Sequence, residues 1–193
     1  MHELDPRPRR TTTDRPPCAP RAAAACAAIT LALTAALPGA ALAQDPWFPA
    51  GDKIRLAYTP KAFHFATDPD YVDWNHIVAL EWLTPRHTFW AADRTHFGLS
   101  LFNNSYGQFS QAVYAGLEWD WTSALGGDVY LSLSVGLVHG YKEPWEDKLP
   151  LNNALGVGVT LVPSIGWQRG GLGLAATLTG SAIGLRISYT FDL

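Results

Sequence analysis

The chain has 193 residues, 14 of them basic and 17 acidic, and only two cysteines, Cys18 and Cys26. Both cysteines fall within the first 43 residues, which read as a removable leader, so the mature chain offers no disulfide, no zinc thiolate and no cysteine nucleophile. That leader takes five of the 14 basic and three of the 17 acidic residues, leaving nine and 14, an acidic balance that argues against nucleic acid as a partner, since phosphate binding needs clustered Lys and Arg.

The leader is read from an Arg-containing start (Arg7 to Arg21), an apolar run from Ala22 to Leu37, and Ala41-Leu42-Ala43 as the cleavage site before Gln44. The run is too short and Ala-rich for a retained spanning helix. Residues 44–52 are a short lead, and Asp45-Pro46-Trp47-Phe48-Pro49 is too proline-bound for an amphipathic helix. Residues 53–193 suit one domain.

From Lys53 onward the recurring pattern is period-two alternation between turn signals. The first strand runs to about Phe65, and Thr67-Asp68-Pro69-Asp70 is a polar turn. A second strand covers Asn75 to Leu83, with Ile77, Ala79 and Glu81 on one face and His76, Val78, Leu80 and Trp82 on the other. The third spans Thr95 to Phe102, and the fourth Ser110 to Trp121; Gly126-Gly127 suits positive φ in the turn that follows. The fifth, Val129 to Val138, sets Val129, Leu131, Leu133, Val135 and Leu137 against Tyr130, Ser132, Ser134, Gly136 and Val138. A polar segment, Gly140 to Asn153, precedes three more strands at Leu155 to Gln168, Gly171 to Thr179 and Ala182 to Phe191.

Eight strands behind an export signal, one fully apolar face and tryptophans near strand ends predict an all-β fold, an eight-stranded antiparallel transmembrane β-barrel of the outer membrane. A soluble periplasmic barrel is the rival, but it would carry a polar outer face. With both termini on the periplasmic side, His64, the Asn104-Ser105 turn and the Gly140 to Asn153 segment share the extracellular rim. Histidine and serine together are what acyl transfer needs, because imidazole can take the hydroxyl proton as a carbonyl is attacked. The bland alternative makes His64 an interfacial aromatic and Ser105 a turn hydroxyl. The remaining histidines show no metal-ligand spacing, so no metal and no organic cofactor is expected.

Phe102-Asn103-Asn104-Ser105-Tyr106-Gly107-Gln108, Tyr114-Ala115-Gly116-Leu117-Glu118 and His139-Gly140-Tyr141-Lys142 together resemble motifs of the PagP family of lipid A palmitoyltransferases, in particular its divergent branch. The resemblance runs from about Ala57 to Phe191. It implies transfer of a palmitoyl or similar chain from a phospholipid to lipid A at the outer leaflet; a monomer that binds no nucleic acid is the expectation for partners.

By position, the resemblance puts the catalytic histidine on His64 and the serine on Ser105. The family's aspartate falls on Asn104, which can orient a partner but cannot stabilise imidazolium by charge. It makes Gly116 the floor of the acyl pocket, and Pro163 and Pro60 sites of lateral lipid access, since proline lacks a ladder donor. Lys142 is a candidate for contact with a lipid headgroup. Two alternatives stay open: a lipid A deacylase or outer-membrane phospholipase on the same scaffold, and a non-enzymatic barrel that serves a structural role or binds lipopolysaccharide through Lys142, Lys148 and Arg86.

Overall fold

A computed structural model describes residues 49–72, 74–153 and 155–193. The expected leader, both cysteines and residues 44–48 of the lead lie outside them. The strands are β1 (Lys53–Thr59), β2 (Ala62–His64), β3 (Ile77–Thr84), β4 (Arg94–Asn103), β5 (Phe109–Ala124), β6 (Gly127–His139), β7 (Val157–Arg169), β8 (Leu172–Thr179) and β9 (Ala182–Asp192).

Every pairing is antiparallel, and β1 closes on β9 with Lys53 opposite Asp192 and Tyr58 opposite Ile187. β2 continues the wall position of β1: Ala62 faces Gly184. Four steps from Tyr58 to Ala62 therefore match three from Ile187 to Gly184, and the extra residue is a bulge at Pro60-Lys61. The result is a closed eight-stranded antiparallel barrel, with the sheet edges removed by closure.

Alternation sorts the side chains. On β6, Tyr130, Ser132, Ser134 and Val138 are buried inside while Leu131, Val135 and Leu137 are exposed outside. The same outward display continues around the wall with Leu56, Leu80, Leu99, Val113, Leu161, Ile165, Leu174, Leu185 and Ile187. A continuous exposed belt of this kind marks an interaction surface rather than an ordinary solvated wall.

Two ends follow from the connections. Segments 65–76, 104–108 and 140–156 and the turn at Gly180-Ser181 lie at one end, here called the upper rim; 85–93, Leu125-Gly126 and Gly170-Gly171 lie at the other. Of the two glycines suited to positive φ in the β5–β6 turn, Gly126 takes it (72°), and the other left-handed residue is Leu125 (55°) rather than Gly127. Gly127 is already in β6, where a Cβ would stand 2.5 Å from the Gln168 carbonyl oxygen. The segment before Arg94 is a turn and does not extend β4.

The interior is divided across its height. In the lower half, Arg55, Glu81, Glu118 and Arg186 point inward from different strands and neutralise one another. Arg55 donates to Glu81 at 3.1 Å and to both oxygens of Glu118 at 3.0 and 3.1 Å. Arg94 reaches Glu118 at 2.9 Å, Arg186 reaches Glu81 at 2.8 Å, and the Tyr114 hydroxyl donates to Glu81 at 2.9 Å. Buried charges persist only when paired in this way. Above this network the inward residues are small or apolar, and they leave a cavity.

Candidate active site

Two local breaks in strand pairing build the site. β2 pairs with β9 alone, because β3 meets β1 no higher than the Thr59 to Ile77 pair. Pro60 sits at that break, and Asn75 from the 65–76 loop bridges it. The Asn75 amide N–H donates to the Pro60 carbonyl at 3.0 Å, and its Oδ1 accepts from Ala62 N–H at 2.9 Å. Its Nδ2 then donates to the Asn103 carbonyl at the end of β4, at 3.1 Å. One buried side chain thus ties the strand that carries His64 to the strand that leads into Ser105.

The second break is between β7 and β8, whose pairing stops at Ser164 opposite Thr177. Above it the Val159 N–H donates to the Pro150 carbonyl, which caps part of the free edge. Alternate residues turn their amides to the same side of a strand, so Pro163 occupies the register that faces β8 and has no N–H to offer there. Both prolines expected at sites of lateral access therefore stand at unpaired seams.

His64 ends β2 at the rim, and its Nε2 lies 2.7 Å from the Ser105 Oγ. The Ser105 carbonyl accepts from Val72 N–H at 2.9 Å, which holds the turn against the 65–76 loop. Asn104, buried at 1% exposure, commits both ends of its amide to this turn rather than to the imidazole. Its Oδ1 accepts from the Tyr106 and Gln108 amides at 3.0 Å each. Its Nδ2 donates to the Gln108 side chain at 3.3 Å and to the Gly140 carbonyl at 3.5 Å. Asn104 orients the turn that carries Ser105, and introducing a carboxylate there would remove both donated bonds. Asn104→Asp is expected to cost about 1–3 kcal/mol of stability, measurable as a lower denaturant midpoint.

An aromatic cluster surrounds the pair. Tyr71 stacks on the His64 ring with centroids 4.0 Å apart, Tyr106 stacks on Trp145 at 4.2 Å, and Tyr106 meets Tyr71 at 5.4 Å. Partial burial lowers the pKa of His64 and nearby Lys61 adds to this, against an opposing pull from Asp68. A neutral imidazole able to accept the Ser105 proton is favoured accordingly. Burial raises the pKa of Tyr141, against the opposing effect of hydrogen bonding to Ser105.

The pair opens onto a cavity of about 510 Å³ that descends inside the barrel. His64, Ser105, Asn104 and Tyr106 line its mouth, Ala112, Val138 and Val162 line its walls, and Lys148 also borders it. Residues from both sides of the β7–β8 seam, Val159 to Val162 and Thr179 to Ala182, contribute to it. A smaller space of about 110 Å³ shares Ile77, Ser100, Val162 and Thr179 with it and reaches Tyr114, Glu81 and Arg186.

His64, Ser105 and Asn104 are brought together; Gly116 is not among the residues lining either space. A Cβ on Gly116 would stand 2.5 Å from the His96 Nε2 and from the Leu133 carbonyl oxygen. The His96 ring fills the space that the missing side chain leaves, and Tyr114 is the deepest β5 residue bordering the space. Lys142 is exposed and joins Gln108 through its backbone, with its N–H donating to the Gln108 Oε1 at 3.0 Å. Arg86 is bound to Asp52 at 2.7 Å at the lower end, so it shares no surface with Lys142 and Lys148. Tyr71, Asn75 and Tyr106 were missed as site residues, although the density of aromatics in the upper connections was a visible signal.

Comparison with protein-family models gives no match, and no curated protein matches the chain.

Proposed function

We propose that this chain is an outer-membrane acyltransferase of the PagP type, which moves a palmitoyl or similar chain from a phospholipid to lipid A. The observation that carries the proposal is the His64 to Ser105 contact of 2.7 Å at the mouth of a cavity lined mainly by apolar and small groups. The motif resemblance and the exposed apolar belt support it further. In the reaction the ester bond of the donor breaks and an ester to an acceptor hydroxyl forms. As the acceptor oxygen attacks the donor carbonyl, its proton passes to the Ser105 hydroxyl while the Ser105 proton passes to His64 Nε2, and His64 then gives that proton to the departing glycerol oxygen. The donor tail lies in the cavity, where each buried methylene contributes about 0.8 kcal/mol. The unpaired β7–β8 seam gives that tail a sideways route from the surrounding lipid.

Mass spectrometry of lipid A from cells that produce the protein tests the proposal: a palmitate-sized gain supports transfer, and release of free fatty acid without that gain identifies a hydrolase. The lining residues also predict which substitution alters chain selection. Ala112→Phe fills the cavity midway and is expected to shift the product towards shorter chains. Gly116→Ala is expected to disturb His96 packing at a cost of about 1–3 kcal/mol and to leave chain length unchanged.

A further inference from the structure

His64 and Ser105 stand on segments that no strand joins. β2 pairs with β9 alone, and β3 meets β1 no higher than Ile77 and β4 no higher than Val78, so its ladder ends below both Ala62 and Asn103. The 2.7 Å contact between the two reactive side chains therefore has no continuous sheet beneath it. Asn75, two residues before β3 begins, stands in that gap.

Its side chain is matched to its partners end by end. An N–H can be met only by the amide oxygen and a carbonyl only by the amide nitrogen. Here Oδ1 accepts from Ala62 N–H at 2.9 Å while Nδ2 donates to the Asn103 carbonyl at 3.1 Å. The backbone of the same residue repeats the pattern: its N–H donates to the Pro60 carbonyl at 3.0 Å, and its carbonyl accepts from Asn103 N–H at 2.9 Å. Ala62 lies two residues before His64, and Asn103 two residues before Ser105. Both segments are thus gripped by one residue close to their reactive ends.

We propose that Asn75 is the positioning residue of the pair: by holding the Ala62 amide and the Asn103 carbonyl on one planar group, it sets the distance at which His64 Nε2 meets the Ser105 Oγ. The consequence for transfer rests on the acyltransferase reading; the action on the pair does not. Asn75 is 3% exposed and borders the cavity, but both ends of its amide are committed to backbone, so it places the reactive groups rather than holding substrate. Asn75→Ala removes both side-chain bonds and lets the two segments move apart. Asn75→Asp keeps the acceptor for Ala62 but sets a carboxylate oxygen against the Asn103 carbonyl, so it loosens the Ser105 side alone. A misplacement of about 1 Å can cost on the order of 10²-fold in rate. In Asn75→Ala kcat is expected to fall about tenfold to a hundredfold, with a much smaller change in KM because the cavity walls are kept.

The experiment is NMR of histidine-labelled mature protein in detergent micelles at alkaline pH, where the imidazole is neutral and its nitrogen shifts report the bond to Ser105, alongside kcat and KM for acyl transfer. His64→Gln assigns the resonance, and Ser105→Ala gives the shift of the broken contact. Asn75→Ala, with Ser105 still present, is expected to move the His64 Nε2 shift most of the way to the Ser105→Ala value, and Asn75→Asp part of the way. Glu118→Ala, which weakens the lower half of the barrel, is expected to leave that shift in place, and this separates placement from loss of stability. If Asn75→Ala does not fold, Asn75→Asp decides. An unchanged His64 shift in the folded variant, or a displaced shift with unchanged kcat in an active protein, overturns the inference. A displaced shift in a protein whose wild type transfers no acyl chain upholds the positioning residue and refutes the acyltransferase reading.

Discussion

Ser105→Ala and His64→Ala are each expected to abolish measurable acyl transfer while the barrel still folds. Removing a positioned general base costs about 10²–10⁴-fold in rate, and removing the hydroxyl leaves no group at the 2.7 Å contact for the base to act on. Neither side chain holds the architecture. The turn at Ser105 is fixed by its own carbonyl, through Val72 N–H, and by Asn104, all of which survive truncation at Oγ. The stability cost is that of one rim hydrogen bond, about 1 kcal/mol. The check pairs lipid A mass spectrometry with heat-modifiable gel mobility. A folded Ser105→Ala protein that retains wild-type transfer would remove the chemical reading of this site.

Glu118→Ala is expected to have the largest effect on stability. Glu118 is fully buried and accepts from Arg55 through two bonds and from Arg94 through a third. Removing it leaves Arg55 with Glu81, and Arg94 with Asp120, but with one buried negative charge too few. Breaking a buried pair by deleting one partner typically costs about 3–5 kcal/mol. A denaturant titration in micelles should show a much lower unfolding midpoint. Arg55→Met combined with Glu118→Leu should cost less than Glu118→Ala alone, because the double change leaves fewer unpaired charges. If the single change proves harmless, the network is not what holds the lower half.

The wall of the barrel could be read from the chain because a strand in this setting has only two kinds of neighbour, inside and outside. Val129 to Val138 states that alternation without interruption, and β6 follows it residue by residue. Counting connections from that reading also brought His64 and Ser105 to one rim. Depth along a strand was legible, but what meets a residue across the lumen was not. Gly116 lies at the spacing expected of a pocket floor, yet whether its open side faces a ligand or a ring depends on His96, which stands opposite it on β4. In the same way Arg55, Glu81, Glu118 and Arg186 look like isolated charges one strand at a time, and only the register makes them partners. Asn104 read correctly as an orienting amide, but its target could not be deduced: the turn it closes depends on Gly140, 36 residues later.

The division of the interior also bears on leakage. Ions could cross the lumen only by passing Arg55, Glu81, Glu118, Arg186 and Tyr114, whose charged and polar ends are already joined to one another. A barrel plugged in this way is expected to pass no measurable current when reconstituted in a planar bilayer.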